Sequence, residues 1–379
     1  MSTFLPYGRQ SIDEADIAAV AEALKSDFLT TGPRVEAFET AFAQAVGAQH
    51  AVACANGTAA LHLAMAALGV GEGDVCIVPS ITFVATANAA RFQGAEVVFA
   101  DVDPDTGLMT PATLEQALEK AGRPPKAILP VHLAGRMADV RALKSMAERF
   151  GAAVVEDACH ALGSVGEAGR AGDCAHSAMA CFSFHPVKII ASGEGGMVTT
   201  NDATLATRLR RDRSHGIVRE AGRDPWWYEQ QALGWNYRLP DVLCALGQSQ
   251  LAKLEAFAER RRALAARYDD LLAPHAPLIR TIPLEGRPGL HLYVALIDFE
   301  AAGVPRRAVV ERLAAKGIGT QVHYIPVHTQ PYYVERYGAA RLPGAEAWYA
   351  RCLSLPLFPG MDDADPERVV DALIEALSP

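Results

Sequence analysis

The chain has 379 residues, half of them apolar, and 35 Lys and Arg against 44 Asp and Glu give a formal net charge of -9. Such a length buries a large core and divides into a big unit plus a smaller one. The scattered charges, with no Lys/Arg block, argue against a nucleic-acid surface or an anionic membrane as partner and leave an anionic small molecule open.

Seven dispersed cysteines (Cys54, Cys76, Cys159, Cys174, Cys181, Cys244, Cys352), with no CxxC pair, signal neither a disulfide framework nor a zinc site and fit a reducing cytoplasm. The opening MSTFLPYGRQ lacks a charged region followed by an apolar core. No apolar run reaches the roughly 18 residues of a spanning helix, so neither a signal peptide nor a membrane span is expected.

Ser11 with Glu14 predicts a capping box for a helix through about Leu24, and Pro33 opens a second helix that stops near Gly47, with the turn-prone DFLTTGP between them. Short apolar strands then alternate with helices. His50 to Cys54 precedes a helix from about Thr58, Val75 to Pro79 one from about Phe83, and Glu96 to Asp101 one after Thr110. Ala127 to His132 precedes a helix from about Asp139, and Ala152 to Glu156 closes the series. The alternation predicts an α/β fold, residues 1–240, with a large mainly parallel sheet and helices on both faces.

Past Asn201 the sequence predicts a helix to about Arg213, a polar and aromatic segment around Trp226, Trp227 and Tyr228, and a long helical region from about Pro240 to Leu272. Strands near Leu292 to Ile297 and Gly319 to Tyr324, with helices after Val304, near Ala345 and after Asp365, predict a smaller C-terminal α+β domain over residues 241–379. Leu284 to Gly289 is a Pro/Gly turn.

Within this frame, Ala180 to Asp202 (ACFSFHPVKIIASGEGGMVTTND) sets Lys188 between an apolar strand and a small glycine-rich turn. A partly desolvated amine loses its proton readily, as a lysine must to condense with an aldehyde such as that of pyridoxal phosphate (PLP). By itself Lys188 also reads as a strand-end lysine with its head in water. Asn56, Gly57 and Thr58, between a strand and a helix, form a candidate phosphate cradle or a plain helix cap. Asp157 ends an apolar strand at the ligand-binding edge of a parallel sheet, where it could pair with a protonated pyridine nitrogen or cap the next turn. His160 could orient a ring or be a structural histidine, Phe83 could cover one face of a cofactor or belong to the core, and Ser183 offers a hydroxyl that a strand serine would also have. His323 and His328 lack the spacing and carboxylate of a metal site, so none is expected, and GEGG at Gly193 fails the dinucleotide spacing.

The ordered set NGTAAL, EDACHALG, SFHPVK with GEGGMVTTND, and LGWNYRLPD strongly resembles the DegT family of PLP-dependent nucleotide-sugar aminotransferases, of fold type I, over nearly the whole chain. The resemblance implies Lys188 as the Schiff-base lysine, Asp157 as partner of the pyridine nitrogen, Phe83 and His160 flanking the ring, and Gly57, Thr58 and Ser183 on the phosphate. It implies that Asn236 reaches the phosphate of a second subunit, hence a homodimer with shared active sites. Relatives that act as sugar dehydratases carry His at the position of Lys188.

Within the family, PYGRQ, SDFLTTGP, EQQALGWNYRL and VHYIPVHTQPYY are most similar to the 4-aminotransferases of pseudaminic acid biosynthesis. These move the amino group of L-glutamate to the C4 ketone of a UDP-linked 4-keto-6-deoxy-N-acetylhexosamine, with ping-pong kinetics. That resemblance places Tyr7, Asp27, Phe28, Leu29, Thr30, His185, His323, Tyr324, Ile325 and Pro326 around the sugar nucleotide. Leu290, in GLHLYV, departs from the Trp expected there. A 4-aminotransferase for a GDP-sugar or a 3-aminotransferase for a dTDP-sugar shares the chemistry. A regulatory protein of the same fold would be marked by loss of Lys188 or Asp157, and both are present.

Overall fold

The protein was analysed as a computed structural model that describes residues 4–378; Met1 to Thr3 of the opening stretch and Pro379 lie outside them. The chain begins with α1 (Glu14–Lys25) and α2 (Pro33–Val46), the second opened by Pro33 and closed by Gly47 in the left-handed conformation. The cap of α1 is Asp13, not Ser11. Asp13 and Asp16 each accept the other's backbone N–H at 3.1 Å, whereas the Ser11 carbonyl accepts from Gln250 Nε2. A carboxylate one residue from the helix start outcompetes a hydroxyl three residues away.

The alternating region forms β1 (His50–Cys54), α3 (Gly57–Ala67), β2 (Val75–Pro79), α4 (Val84–Phe92), β3 (Glu96–Ala100), α5 (Pro111–Ala121), β4 (Ala127–Ile128), α6 (Val140–Glu148), β5 (Ala153–Asp157), β6 (Met179–Ser183), β7 (Gly196–Thr200) and α7 (Ala203–Asp212). These strands build one seven-stranded sheet in the order β1, β7, β6, β5, β4, β2, β3. Four of its pairings are parallel and two antiparallel, so the sheet is mainly parallel, as expected, with a single reversed strand that makes it mixed. The reversed strand is β7, for which the sequence pattern predicts no element. It lies between β1 and β6 and is antiparallel to both, so β1 runs parallel to β6. The carboxyl ends of β1, β2, β5 and β6 therefore share one edge, where the first residue of β7, Gly196, also sits. A Cβ on Gly196 would come within 2.3 Å of the Asn56 carbonyl oxygen, so glycine permits the approach of these two turns.

The expected helical region from Pro240 is two helices, α8 (Asp241–Leu251) and α9 (Leu254–Leu272). Cys244 and Leu251 of α8 join a core with Phe38, Phe42, Phe182 and Phe184, while Leu264, Tyr268 and Leu272 of α9 belong to a second core with Tyr293, Leu355 and Leu373. That second core is completed by β8 (Ile279–Arg280), β9 (Tyr293–Ile297), α10 (Arg306–Ala315), β10 (Cys352–Leu355) and α13 (Asp365–Leu377), the shorter α11 (Pro331–Tyr337) and α12 (Pro343–Arg351) lying between α10 and β10. A third cluster, with Ile81, Val102 and Leu133 on one side and Leu292, Val294 and Trp348 on the other, welds the two cores together. The strand expected over Gly319 to Tyr324 does not form. Only Gln321 bridges Ser354, and Gln321 to Tyr324 line a cavity.

One buried carboxylate pins α1 to α8. Asp16, 1% exposed, accepts from Ser249 Oγ and Gln250 Nε2 at 2.6 Å and from Lys253 Nζ at 2.5 Å. Replacing Asp16 by Ala removes the acceptor shared by these side chains and the Asp13 N–H, and we predict a loss of about 2–4 kcal/mol in urea unfolding. Asp16→Asn, which keeps an acceptor, should lose less.

Candidate active site

Asn56 caps α3 with its side chain on the Ala59 N–H at 2.8 Å and its carbonyl on Ala60 N–H at 3.0 Å. The N–H groups of Gly57 and Thr58 are left without an acceptor among the described residues, as the first turn of any helix requires. They open, with the Thr58 and Ser183 side chains, into a cavity of about 700 Å³ at the shared strand edge. A Cβ on Gly57 would lie 2.8 Å from Ser183 Cβ and 3.3 Å from Cys159 Sγ, which keeps this cradle small and its amides exposed. Donors and the positive helix end together favour a phosphate.

Asp157 closes β5 and is 5% exposed. One carboxylate oxygen accepts the Thr86 hydroxyl at 2.6 Å and the other the Cys159 N–H at 3.2 Å. Phe83 precedes α4, lines the cavity and is 56% exposed, its ring tilted against Tyr324 at 6.1 Å between centroids. His160 faces the same space, its ring tilted against His291 at 4.5 Å between centroids.

Lys188 lines this cavity too. Burial lowers the pKa of its amine from the ordinary 10.5, opposed by Cys159 and Asp157, which act on it through space. The neighbouring imidazoles add no cation. Burial, and then Lys188, push His323 down to about 3, and both hold His160 and His291 well below the usual histidine range. Burial also raises the phenols of Tyr7 and Tyr324.

Of the residues singled out from the sequence, Tyr7, Gly57, Thr58, Phe83, Asp157, His160, Ser183, His185, Lys188, His323, Tyr324 and Ile325 line this cavity. Asp27, Phe28, Leu29, Thr30, Pro326 and Asn236 do not. Asp27 to Thr30 and Asn236 are exposed, and Leu29 is tied to the start of α8 by its carbonyl, which accepts the Asp241 N–H at 3.0 Å. The sequence reading missed Thr86, Cys159, Glu194, His291 and Gln321. Thr86 lies 71 residues from the carboxylate it serves, a distance no local pattern reveals.

The family model for DegT/DnrJ/EryC1/StrS aminotransferases matches residues 10–374. The chain belongs to that family. Its fold is similar to Helicobacter pylori PseC, an aminotransferase of pseudaminic acid biosynthesis, with a TM-score of 0.92, 29% identity and 99% of each chain covered. It is also similar to S. venezuelae DesV, at a TM-score of 0.87 and 34% identity over 100% of each chain. A Streptococcus pneumoniae chain solved in its PLP form gives a TM-score of 0.89 and 27% identity, covering 99% of this chain and 98% of that one. The protein is a PLP-dependent sugar aminotransferase of fold type I. The cavity suits that cofactor: two free amides and two hydroxyls for a phosphate, a buried carboxylate for a ring nitrogen, and a desolvated amine.

Two measurements test this geometry. Thr86→Val removes a hydrogen bond to a charged acceptor without changing volume, so PLP affinity should fall roughly 10- to 100-fold in a fluorescence titration. For Lys188 the sign follows from linkage. Its folded pKa lies below the unfolded one, so the unfolded state holds more protons between the two, and the amine's penalty is present at neutral pH and relieved as pH rises. PLP-free Lys188→Met should therefore melt above wild type at pH 7, with the gap narrowing toward pH 10.

Proposed function

We propose that the protein moves the amino group of L-glutamate to the C4 ketone of a UDP-linked 4-keto-6-deoxy-N-acetylhexosamine, yielding UDP-4-amino-4,6-dideoxy-N-acetyl-β-L-altrosamine for pseudaminic acid. The observation that carries amino transfer is the meeting of Lys188, the Asp157 carboxylate with its Thr86 donor, and the free amides of Gly57 and Thr58 in one cavity. The substrate rests on similarity to PseC over the full length of both chains and on the segments around Tyr7 and Tyr324.

When bound, PLP supplies an aldehyde and an electron sink through which an amino group can leave one carbon and join another. Gly57, Thr58 and Ser183 would hold its phosphate, Asp157 would keep a proton on the pyridine nitrogen, and Phe83 and His160 would flank the ring. Lys188 Nζ, depleted of its proton by desolvation, would take a proton from the amino donor's Cα and later return one to C4 of the sugar, the two substrates using one site in turn. Tyr7, His185, His323, Tyr324 and Ile325 would line the sugar side, and burial of His323 and Tyr324 would help exclude water.

Asn236 and Asp27 to Thr30 flank a separate cavity of about 590 Å³ lined by Thr31, Gly32, Arg210, Arg213, Ser214 and Arg238. In the proposed homodimer this face would meet the partner's active site, Asn236 reaching its phosphate, which explains why these residues stand apart from Lys188 in one chain. The dispersed, unpaired cysteines support a cytoplasmic setting, and no helix among the described residues is long and apolar enough to cross a membrane.

A second reading, another 4-keto or 3-keto sugar nucleotide, is favoured by the higher identity to DesV and by Leu290, buried at φ +50° where Trp was expected. Assay with glutamate against UDP-, GDP- and dTDP-linked keto sugars decides between them: fastest turnover on the UDP-linked 4-keto-6-deoxy-N-acetylhexosamine supports the proposal, and preference for another sugar overturns it. Lys188→Ala should abolish transfer and leave no residue that borohydride fixes to PLP.

A further inference from the structure

His160 is held from both ends of its imidazole. The Ala134 N–H donates to Nδ1 at 3.3 Å, and Tyr324 Oη lies 3.1 Å from Nε2. An amide N–H can only donate, so Nδ1 carries a lone pair and the ring's one proton sits on Nε2. That proton is then given to Tyr324 Oη, which accepts it. The phenol keeps its own hydrogen, and no described protein atom accepts it. The two rings lie nearly parallel, 28° apart with centroids at 6.0 Å, so the contact fixes the plane of the imidazole as well as its tautomer.

The groups facing His160 keep this arrangement neutral. Lys188, His291 and His323 surround the imidazole, and burial together with Lys188 and His323 disfavours the imidazolium. Tyr324, in the same cavity, stays a phenol because burial and Asp157 oppose the phenolate. A directed chain results: Ala134 N–H to His160 Nδ1, His160 Nε2–H to Tyr324 Oη, and the Tyr324 hydroxyl hydrogen to whatever oxygen occupies the cavity. Ala134 belongs to the turn Leu133–Gly135, with φ +60° at Ala134 itself, so the first donor is part of the backbone frame and not a mobile side chain.

We propose that Tyr324 is a positioning residue for His160, locking the imidazole's plane and its Nε2 proton while turning its own hydroxyl hydrogen toward a ligand oxygen. The role of His160 against the cofactor ring rests on the function proposed above; the chain of hydrogen bonds does not. Tyr324 stands between a residue proposed to touch the cofactor and one flank of the proposed sugar side. Filling the sugar side would thus be felt at the cofactor ring through a single hydrogen bond.

The test uses protein labelled with ¹⁵N-histidine, with PLP bound and after its removal, His160 being assigned by loss of its signal in His160→Gln. Wild type should show an unprotonated Nδ1 and a slowly exchanging Nε2 proton, without titration through the range of an ordinary histidine. Tyr324→Phe should keep the tautomer, because Ala134 still holds Nδ1, but lose the slowly exchanging Nε2 proton signal. In the PLP-loaded variant the cofactor absorption band should shift its pH midpoint, and kcat should fall about 10-fold with little change in KM for the amino donor. A protonated Nδ1 in wild type, or an Nε2 proton signal and absorption midpoint untouched in Tyr324→Phe, would overturn the proposal. Absence of amino transfer with the expected ¹⁵N spectra would instead overturn the functional reading and leave the hydrogen-bond chain standing.

Discussion

The site depends on keeping an amine and a carboxylate in one poorly solvated cavity without letting them close into an ion pair. Lys188 and Asp157 sense each other, yet among the described residues no salt bridge joins them. At contact distance in a low dielectric their attraction would hold the amine protonated and defeat its use as a base. Thr86 and the Cys159 N–H each donate to a different oxygen of Asp157, which fixes the orientation of the carboxylate. Desolvation is then the largest influence on Lys188, and it favours the neutral amine.

That separation is a product of sheet topology. Asp157 ends β5, Ser183 ends β6, the cradle follows β1 and Phe83 follows β2, so four strand ends supply the site from different parts of the chain. Reversal of β7 between β1 and β6 lets the first and last contributors share an edge while leaving β1 pointing the same way as β6. The C-terminal segment from Gln321 to Ile325 then covers the edge, held by His323 Nδ1 to Ser354 Oγ at 2.8 Å and by Trp348 Nε1 to the His323 carbonyl at 3.0 Å.

Much of the fold was legible because burial is periodic. The run VCIVP of β2 is buried at every position, as a central parallel strand demands, and α2 carries its stop signal in Gly47. The cap of α1 was misplaced by a local competition: Asp13, next to the helix start, forms the reciprocal box with Asp16 that was expected of Ser11. β7, GMVTT, has β-branched residues but only five positions directly after a glycine turn, and it is the pairing with β1 and β6 that defines it as a buried strand.

The sequence by itself determined the chemistry on offer: a lysine after an apolar strand, an aspartate at a strand end, a cradle at a helix start, and the family those motifs resemble. Only the tertiary structure decided that these groups face one cavity, that Thr86 and Tyr324 serve Asp157 and His160, and that Asn236 with Asp27 to Thr30 stand elsewhere. The reason is physical. Residue type fixes which protons and charges a side chain can carry, whereas desolvation and hydrogen-bond direction, which set their state, arise only when distant segments are packed together.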